Sequence, residues 1–342
     1  MFECLPVYRL CHPKALYFSG ALLKRHRQIV QTVSTPSAIL DLHFHTGSSH
    51  QTQMFGAATS TGSIGFYHLT RSPEDGIKIV HNVTVQYFAE DILITAFQWH
   101  PIIDSIGMTL TTGEVCLVPF KPIDAPDIAS SGSVVTHDLE AWTLAFSSTG
   151  MGMYSGGDDS ALKYTDLTEN VQYFNKNTHS AEYEDMQRTP WSDGKIHGAG
   201  VTAILPLYST DDGSRILTGS YDDHIRLIHA PIAGRRMVLA ELNLGGGLWR
   251  LKLLNHPWDS ESIENHTSDE VLLLASCMYA GAKILSLKKD KGGEWQFRVL
   301  AKFEEHKSMN YGSDCQPFLN KQNQRTFITT SFYDRLLCLW RY

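Results

Sequence analysis

Six times between Ala38 and Tyr342 the chain repeats one pattern: an apolar segment ending in a turn, a second ending in small residues and an acid, and an alternating third ending in an aromatic. Alternation of this kind belongs to β-strands, whose side chains switch faces at every residue, and not to helices, whose faces recur about every 3.6 residues. The clearest copies read AWTLAFSSTG with MGMYSGGDDSALKYTDL from Ala141, VTAILPLYSTDDGSRILTGSYDDHIRLIHA from Val201, and RTFITTSFYDRLLCLWRY at the carboxyl end. Weaker copies are AILDLHFHTG with MFGAATSTGSIGFYHL, ITAFQWHPII with IGMTLTTGEVCLVPF, and LWRLKLLNHPW with VLLLASCMYAGAKILSL. Segments such as IKIVHNVTVQYF, MVLAELNL and QFRVLAKF follow their triplets and supply a fourth, outer strand.

Four-stranded antiparallel units repeated along a chain bury their edges by radial packing, so the expectation is an all-β, WD40-type β-propeller. Residues 38–342 give six recognisable repeats, and residues 1–37 offer KALYFSG and RQIVQTVST as strands of an incomplete first blade. The expected ring therefore has seven blades in a single domain spanning 1–342, with MFECLPVYRL pairing with the last blade. Asp159 and Asp222, aligned turn acids, lie 63 residues apart, more than the roughly 40–45 residues of a WD repeat. The polar stretch from Lys176 to Lys195 is read as the inserted loop.

A hydrophobic fraction of 42% with 19% charged residues supplies material for a packed core. A net charge of -7 argues against direct nucleic-acid binding, which depends on Lys and Arg neutralising phosphates. The six cysteines form no CxxC pair, as expected of reduced cytoplasmic thiols. No apolar run approaches the roughly 20 residues of a membrane helix, and the amino terminus lacks a signal-peptide pattern, so no membrane association is expected. The expected state is a cytoplasmic monomer.

In a WD repeat the turn between the second and third strands and the loop entering the first strand emerge on one face, and loops on a rigid scaffold carry most binding and chemistry. Turns of the first kind supply Asp158-Asp159, Tyr221-Asp222-Asp223-His224, Cys277-Met278-Tyr279 and Phe332-Tyr333-Asp334. Entering loops supply Glu140-Ala141-Trp142, His197-Gly198-Ala199-Gly200, Gly245-Gly246-Gly247-Leu248-Trp249-Arg250, and Glu305-His306-Lys307-Ser308 leading to Tyr311 and Asp314. Asp159, Asp222 and Asp334 align with the acid that braces a blade, with His197 in the same structural role. Asp158, Tyr221, Met278 and Tyr333 occupy the preceding position, directed at the opening. Gly245 to Gly247 lack any phosphate-loop context and are read as allowing close backbone approach. His43 and His45 have HxH spacing with His50 nearby, but no third ligand of a zinc site is identifiable, so no metal or other cofactor is expected.

The run YSGGDD, HGAGV, GSYDDHI, GGGLWRLK, ASCMYAGAKIL, EHKS, YGSD and SFYDRLLCLW, in this order, resembles the diphthine methylesterase family, once described as a methyltransferase. The resemblance spans Ser37 to Tyr342, with SAILDLHFH and EAWTLAF upstream. It implies an enzyme of diphthamide biosynthesis that hydrolyses a methyl ester on elongation factor 2 carrying methylated diphthine, releasing methanol; a non-catalytic WD scaffold is the alternative. The short amino terminus departs from the family, where a full first blade is expected.

Ester hydrolysis needs an activated water or nucleophile, a proton donor and donors for the oxyanion. The chain has no GxSxG elbow. The candidate bases are His306 and His224, with Asp158 or Asp314 as orienting carboxylate and Tyr311, Tyr221 or Arg250 at the oxyanion. A covalent route would use Cys277 or Ser308. For the substrate's trimethylammonium group the candidate cage is Trp142, Trp249, Tyr221 and Tyr333 with Glu140 and Asp158.

Overall fold

The computed structural model describes residues 8–9, 31–45, 52–72, 76–120, 132–174, 188–255 and 270–342. A two-residue strand, β1 (Tyr8–Arg9), comes first. One sheet then contains β2 (Ile39–Phe44), β3 (Thr52–Thr59), β4 (Ser63–Ser72) and β5 (Gly76–Gln86), and the next contains β6 (Ile94–Trp99), β7 (Ser105–Leu110), β8 (Glu114–Pro119) and β9 (Ser133–Thr136). The third contains β10 (Ala141–Phe146), β11 (Gly152–Gly157), β12 (Leu162–Asp166) and β13 (Trp191–Asp193), with helix α1 (Thr168–Phe174) after β12. The fourth contains β14 (Val201–Thr210), β15 (Gly213–Ser220), β16 (His224–Pro231) and β17 (Met237–Asn243), and the fifth β18 (Arg250–Leu253), β19 (Val271–Ser276), β20 (Ala282–Lys289) and β21 (Trp295–Phe303). The sixth joins β22 (Asn310–Cys315), β23 (Thr326–Ser331) and β24 (Leu336–Arg341) to β1.

Five of the described sheets are four-stranded meanders and the sixth is a three-stranded meander closed by β1, and the burial along their strands follows the repeat pattern. Middle strands such as β7 and β11 are buried at every residue and are built from apolar and small side chains, because both of their faces are covered. The outer strands β5 and β17 are largely exposed, with only every second or third side chain reaching inward. The tight turns are set by glycine where nothing else fits: at Gly113, φ is +87° and an added β-carbon would lie 2.4 Å from the His137 carbonyl oxygen.

The expected seventh blade is corrected to six sheets. Tyr8 pairs with Leu337 and Arg9 with Leu336, so β1 completes the last sheet and opens no sheet of its own. KALYFSG and residues 27–30 of RQIVQTVST lie outside the described residues. Residues 31–35 form no strand; the Gln31 side-chain amide instead bonds both backbone groups of Ile79 on β5, at 2.7 and 2.8 Å. The inserted loop expected from Lys176 to Lys195 is shorter than its sequence suggested. Residues 175–187 lie outside the described residues, while Trp191–Asp193 is the outer strand of the third sheet.

The chain divides into two compact units, one of His12–Ser155 and Tyr164–Gln187, the other of Met1–Cys11, Gly156–Lys163 and Arg188–Tyr342. In the first, a core of Ile64, Phe66, Phe97, Ile106 and Met108 joins the sheets β2–β5 and β6–β9. In the second, Trp340 is fully buried between Phe327 and Phe303, its ring centroid 4.4 and 5.1 Å from theirs and nearly parallel to both. Burial of such a ring typically contributes several kcal/mol, about 3–5 when the ring is truncated to Ala, and it anchors the last strand.

Candidate functional site

The second unit gathers most of the turn residues picked out by the repeat alignment, and its bracing is regular. In the loop entering β14, His197 Nε2 lies 2.9 Å from Thr218 Oγ1, and the next N–H, of Gly198, donates to Asp222 Oδ2 at 2.8 Å. In the loop entering β22, His306 Nε2 lies 2.9 Å from Thr329 Oγ1, and the N–H of Lys307 donates to Asp334 Oδ2 at 2.9 Å. His197 and His306 thus occupy the same place in successive braces. In the other unit His137 bonds Ser155 in the same manner, also at 2.9 Å.

His306, expected as a general base, is therefore placed as a brace. It is 8% exposed, its other ring nitrogen faces Cys338 Sγ, and burial lowers its basicity against the pull of Asp334. His224 Nδ1 lies 2.6 Å from the Asp222 carbonyl oxygen, and the carboxylate beside it is Asp222. Burial opposes ionisation of Asp222, but the N–H groups of Gly198 and His224 and the Arg226 guanidinium outweigh it and hold the carboxyl below its usual range. Asp314 is exposed and ion-paired with Lys252.

The covalent candidates are also occupied structurally. The Cys277 thiol is fully buried, contacts the Ala275 carbonyl oxygen, and is pushed up to about 12, chiefly by burial. A neutral thiol in that setting is a poor nucleophile. Ser308 Oγ accepts the N–H of Tyr333 at 2.8 Å.

Aromatic side chains from three sheets of this unit meet. The ring centroids of Tyr221 and Trp249 are 6.1 Å apart, those of Trp249 and Tyr311 5.1 Å, and those of Tyr311 and Phe332 6.0 Å. Tyr333 packs edge-on against Phe332 at 5.1 Å, and both are exposed. The Arg250 guanidinium carbon lies 5.2 Å from the Trp249 ring centroid, and its Nη1 donates to the Trp249 carbonyl. The Tyr311 hydroxyl donates to Met309 Sδ, a weak acceptor, and its acidity is reduced by burial and by the neighbouring Tyr333.

Glycines allow this assembly to close. A β-carbon on Gly200 would fall 2.7 Å from Asp158 Oδ1 and 3.0 Å from Tyr221 Cδ2, so the carboxylate borders the tyrosine across a bare backbone. One on Gly246 would fall 2.5 Å from the Cys277 carbonyl oxygen, and one on Gly247 2.9 Å from Met278 Sδ and 3.3 Å from Tyr221. Met278 itself is held at φ +43°, a conformation that glycine, with no β-carbon, adopts easily and a methionine does not.

Tyr221, Trp249, Arg250, Tyr311, Tyr333 and Asp158 thus belong to one unit, and five rings, of Tyr221, Trp249, Tyr311, Phe332 and Tyr333, follow one another in contact. Phe332 links two of them and was named in its turn by sequence but not taken as a candidate. Glu140 and Trp142 belong to the other unit, where both are half-buried at the start of β10. His43 pairs with Asp41 at 3.1 Å and His45 packs edge-on against Trp99, while His50 lies outside the described residues. Among the described residues no three His, Cys, Asp or Glu side chains converge as metal ligands, and no helix is long and apolar enough to cross a membrane.

No family model matches the chain. The diphthine methyltransferase of Saccharomyces cerevisiae is 28% identical over 375 residues, covering 95% of this chain and 89% of that protein. Its counterpart in Schizosaccharomyces pombe is 28% identical over 312 residues, covering 89% and 78%. The human diphthine methyltransferase is 28% identical over 306 residues, 84% of this chain and 58% of that protein. Among solved structures, Sqt1 of Chaetomium thermophilum superposes with a TM-score of 0.54 at 13% identity over 89% of this chain and 69% of that one. The same protein bound to the N-terminus of ribosomal protein L10 gives 0.53 at 14% identity, over 89% and 75%. The structural likeness establishes the fold alone, an all-β WD40-type β-propeller, here with six four-stranded blades. In sequence the chain is similar over most of its length to the diphthine methyltransferases of two yeasts and of human, the family that its turn motifs resemble.

Proposed function

We propose that the chain is a cytoplasmic hydrolase that removes the methyl ester from methylated diphthine on elongation factor 2, releasing methanol in the course of diphthamide biosynthesis. The observation that carries this reading is the arc Tyr221, Trp249 and Tyr311 with the Asp158 carboxylate at its edge. The substrate's trimethylammonium group has no N–H to donate, so it is held by the negative faces of aromatic rings and by nearby negative charge. That is the chemistry of this arc.

In the hydrolysis, a water oxygen attacks the ester carbonyl carbon, its proton passes to a base, and the carbon–methoxy bond breaks as the leaving oxygen takes a proton to become methanol. We assign the base to Asp158, the carboxylate that borders the arc. Tyr311 is assigned to the oxyanion: burial keeps its phenol protonated, and a thioether acceptor yields its proton readily to a developing negative charge. His306 and His197 are assigned to bracing the loops that present these groups, in a single-domain, monomeric protein.

The test is to incubate the purified protein with elongation factor 2 carrying methylated diphthine and to follow the modified peptide by mass spectrometry. The expected result is loss of one CH2 increment with stoichiometric methanol. Trp249→Ala is expected to raise KM roughly 5- to 30-fold, from a cation–aromatic contribution of about 1–2 kcal/mol. An unchanged peptide mass alongside tight binding of the factor would instead identify a scaffold.

A further inference from the structure

Tyr311 stands where its backbone has been bent to put it. In the pairing of β22 with β23, Asn310 opposes Ser331 and Gly312 opposes Thr330, which leaves Tyr311 as the extra residue of a β-bulge. The same bulge recurs at Thr95 in β6 and at Thr202 in β14. Those threonines are buried, and their hydroxyls donate to the backbone entering the following sheet, at Ala141 and Leu248 respectively. At the corresponding position in β22 an aromatic ring stands half-buried against Trp249 and Phe332.

Asn310 fastens this bulge. It is fully buried, and its side-chain amide donates to the carbonyls of Gly312, at 3.1 Å, and Thr330, at 2.8 Å, the pair of residues on the two strands just past the extra residue. Its Oδ1 accepts from the Ser313 hydroxyl at 3.1 Å, and that hydroxyl accepts from Ser276 Oγ at 2.8 Å. Ser276 in turn receives the N–H of Trp249 on its carbonyl, at 2.8 Å. A polar chain, buried at Asn310 and Ser276 and half-buried at Ser313, therefore links the backbone of Trp249 in one sheet to the bulge that carries Tyr311 in the next. The Asn310 N–H also donates to the strained turn at Met278, at 2.9 Å.

We infer that Asn310, with Ser313 and Ser276, is a positioning network that fixes the spacing of the Trp249 and Tyr311 rings and acts on the reaction through Tyr311. The inference rests on the hydrolase reading for its kinetic consequence, but not for its structural one. A buried network with its donors and acceptors matched is rigid, and cutting it leaves polar groups without partners.

The experiment is a double-mutant cycle on ester hydrolysis, with tyrosine nitration as an independent readout. Asn310→Ala and Tyr311→Ala are each expected to lower kcat/KM by about 10-fold or more. The double variant should be no slower than Tyr311→Ala alone, because losses that act through one residue do not add. Nitration by tetranitromethane, quantified on the Tyr311 peptide, should speed up several-fold in Asn310→Ala while the exposed Tyr279 is unaffected. Ser313→Ala cuts the same chain at a half-buried residue and should give the same pattern if Asn310→Ala fails to fold. Additive kinetic losses, or unchanged Tyr311 nitration in the folded variants, overturn the network. If the parent protein leaves the ester intact yet Tyr311 nitration rises in both variants, the hydrolase reading falls and the network stands.

Discussion

His306 is the residue at which bracing and catalysis predict opposite outcomes for one substitution. In His306→Ala the lost ring leaves the hydroxyl of Thr329, a fully buried residue, without its 2.9 Å partner, and removes a ring that packs edge-on against Phe303 at 5.5 Å. An unsatisfied buried hydroxyl costs about 1–3 kcal/mol, and the partly filled void adds about 1–2. The expected loss is thus about 2–5 kcal/mol of stability, visible in urea unfolding followed by tryptophan emission. The hydrolysis rate of the folded fraction should stay within about 2-fold of the parent, whereas removal of a general base lowers a rate by about 100- to 10,000-fold. His197→Ala, which breaks the equivalent brace, should lose stability to a similar degree. A His306→Ala protein with an unchanged unfolding midpoint and a rate down by about 100-fold would refute the bracing argument.

Acid should loosen the fold through the same histidines. His100, chiefly by burial, and His197, by burial and Arg226, are each pushed down to about 4 from 6.5, and burial lowers His306 as well. Their neutral forms belong to the folded state, so their contribution is complete above pH 6.5 and is lost as pH falls toward 4, by about 3 kcal/mol for each fully shifted group; urea midpoints at pH 7.5, 5 and 4 measure this. Gly246→Ala drives a β-carbon to 2.5 Å from a backbone carbonyl oxygen and should cost about 1–3 kcal/mol, whereas Gly247→Ala meets the flexible Met278 thioether and should cost less than about 1 while raising KM a few-fold. Tyr311→Thr, which installs the residue found at two of the equivalent bulges, Leu40 standing at a third, should change stability by no more than about 1 kcal/mol and lower hydrolysis by about 100-fold; a fully active variant would remove Tyr311 from the reaction.

The strand triplets were legible because alternation and turn residues are local signals, and they locate all six sheets. The closing pair was legible too, since Tyr8 and Arg9 of MFECLPVYRL do pair with Leu337 and Leu336 of the last sheet. The blade number was not, because RQIVQTVST has the apolar and β-branched residues of a strand while residues 31–35 form none. Trp191–Asp193 escaped because it is three residues of strand inside a polar stretch. In the site, aligning the turns brought Asp158, Tyr221 and Tyr333 forward as the residues ahead of the turn acid, and all three fall in one unit. Phe332 was missed because the last repeat carries one more residue between Ser331 and Asp334 than the fourth carries between Ser220 and Asp222. The role of His306 was readable in principle: it precedes the N–H that caps Asp334 as His197 precedes the one that caps Asp222.

Repetition of this kind separates structure from function more sharply than burial does. Where the repeats agree, as in the histidine, the Ser or Thr it bonds and the turn acid, the shared residues are taken up in bracing the loop that enters the blade. Where they disagree, the scaffold stays the same and one side chain changes. The bulge that carries Thr95 and Thr202 inward to the backbone carries Tyr311 to Trp249, and the turn position filled by Asp158 in one sheet is filled by Tyr221 in the next. A fold made of near-identical sheets has no need of such exchanges for its stability, since the threonine solution already serves two of them. The exchanges fall instead on neighbouring sheets of one unit and on residues that touch, which is the pattern expected when a common frame is specialised to hold a single ligand.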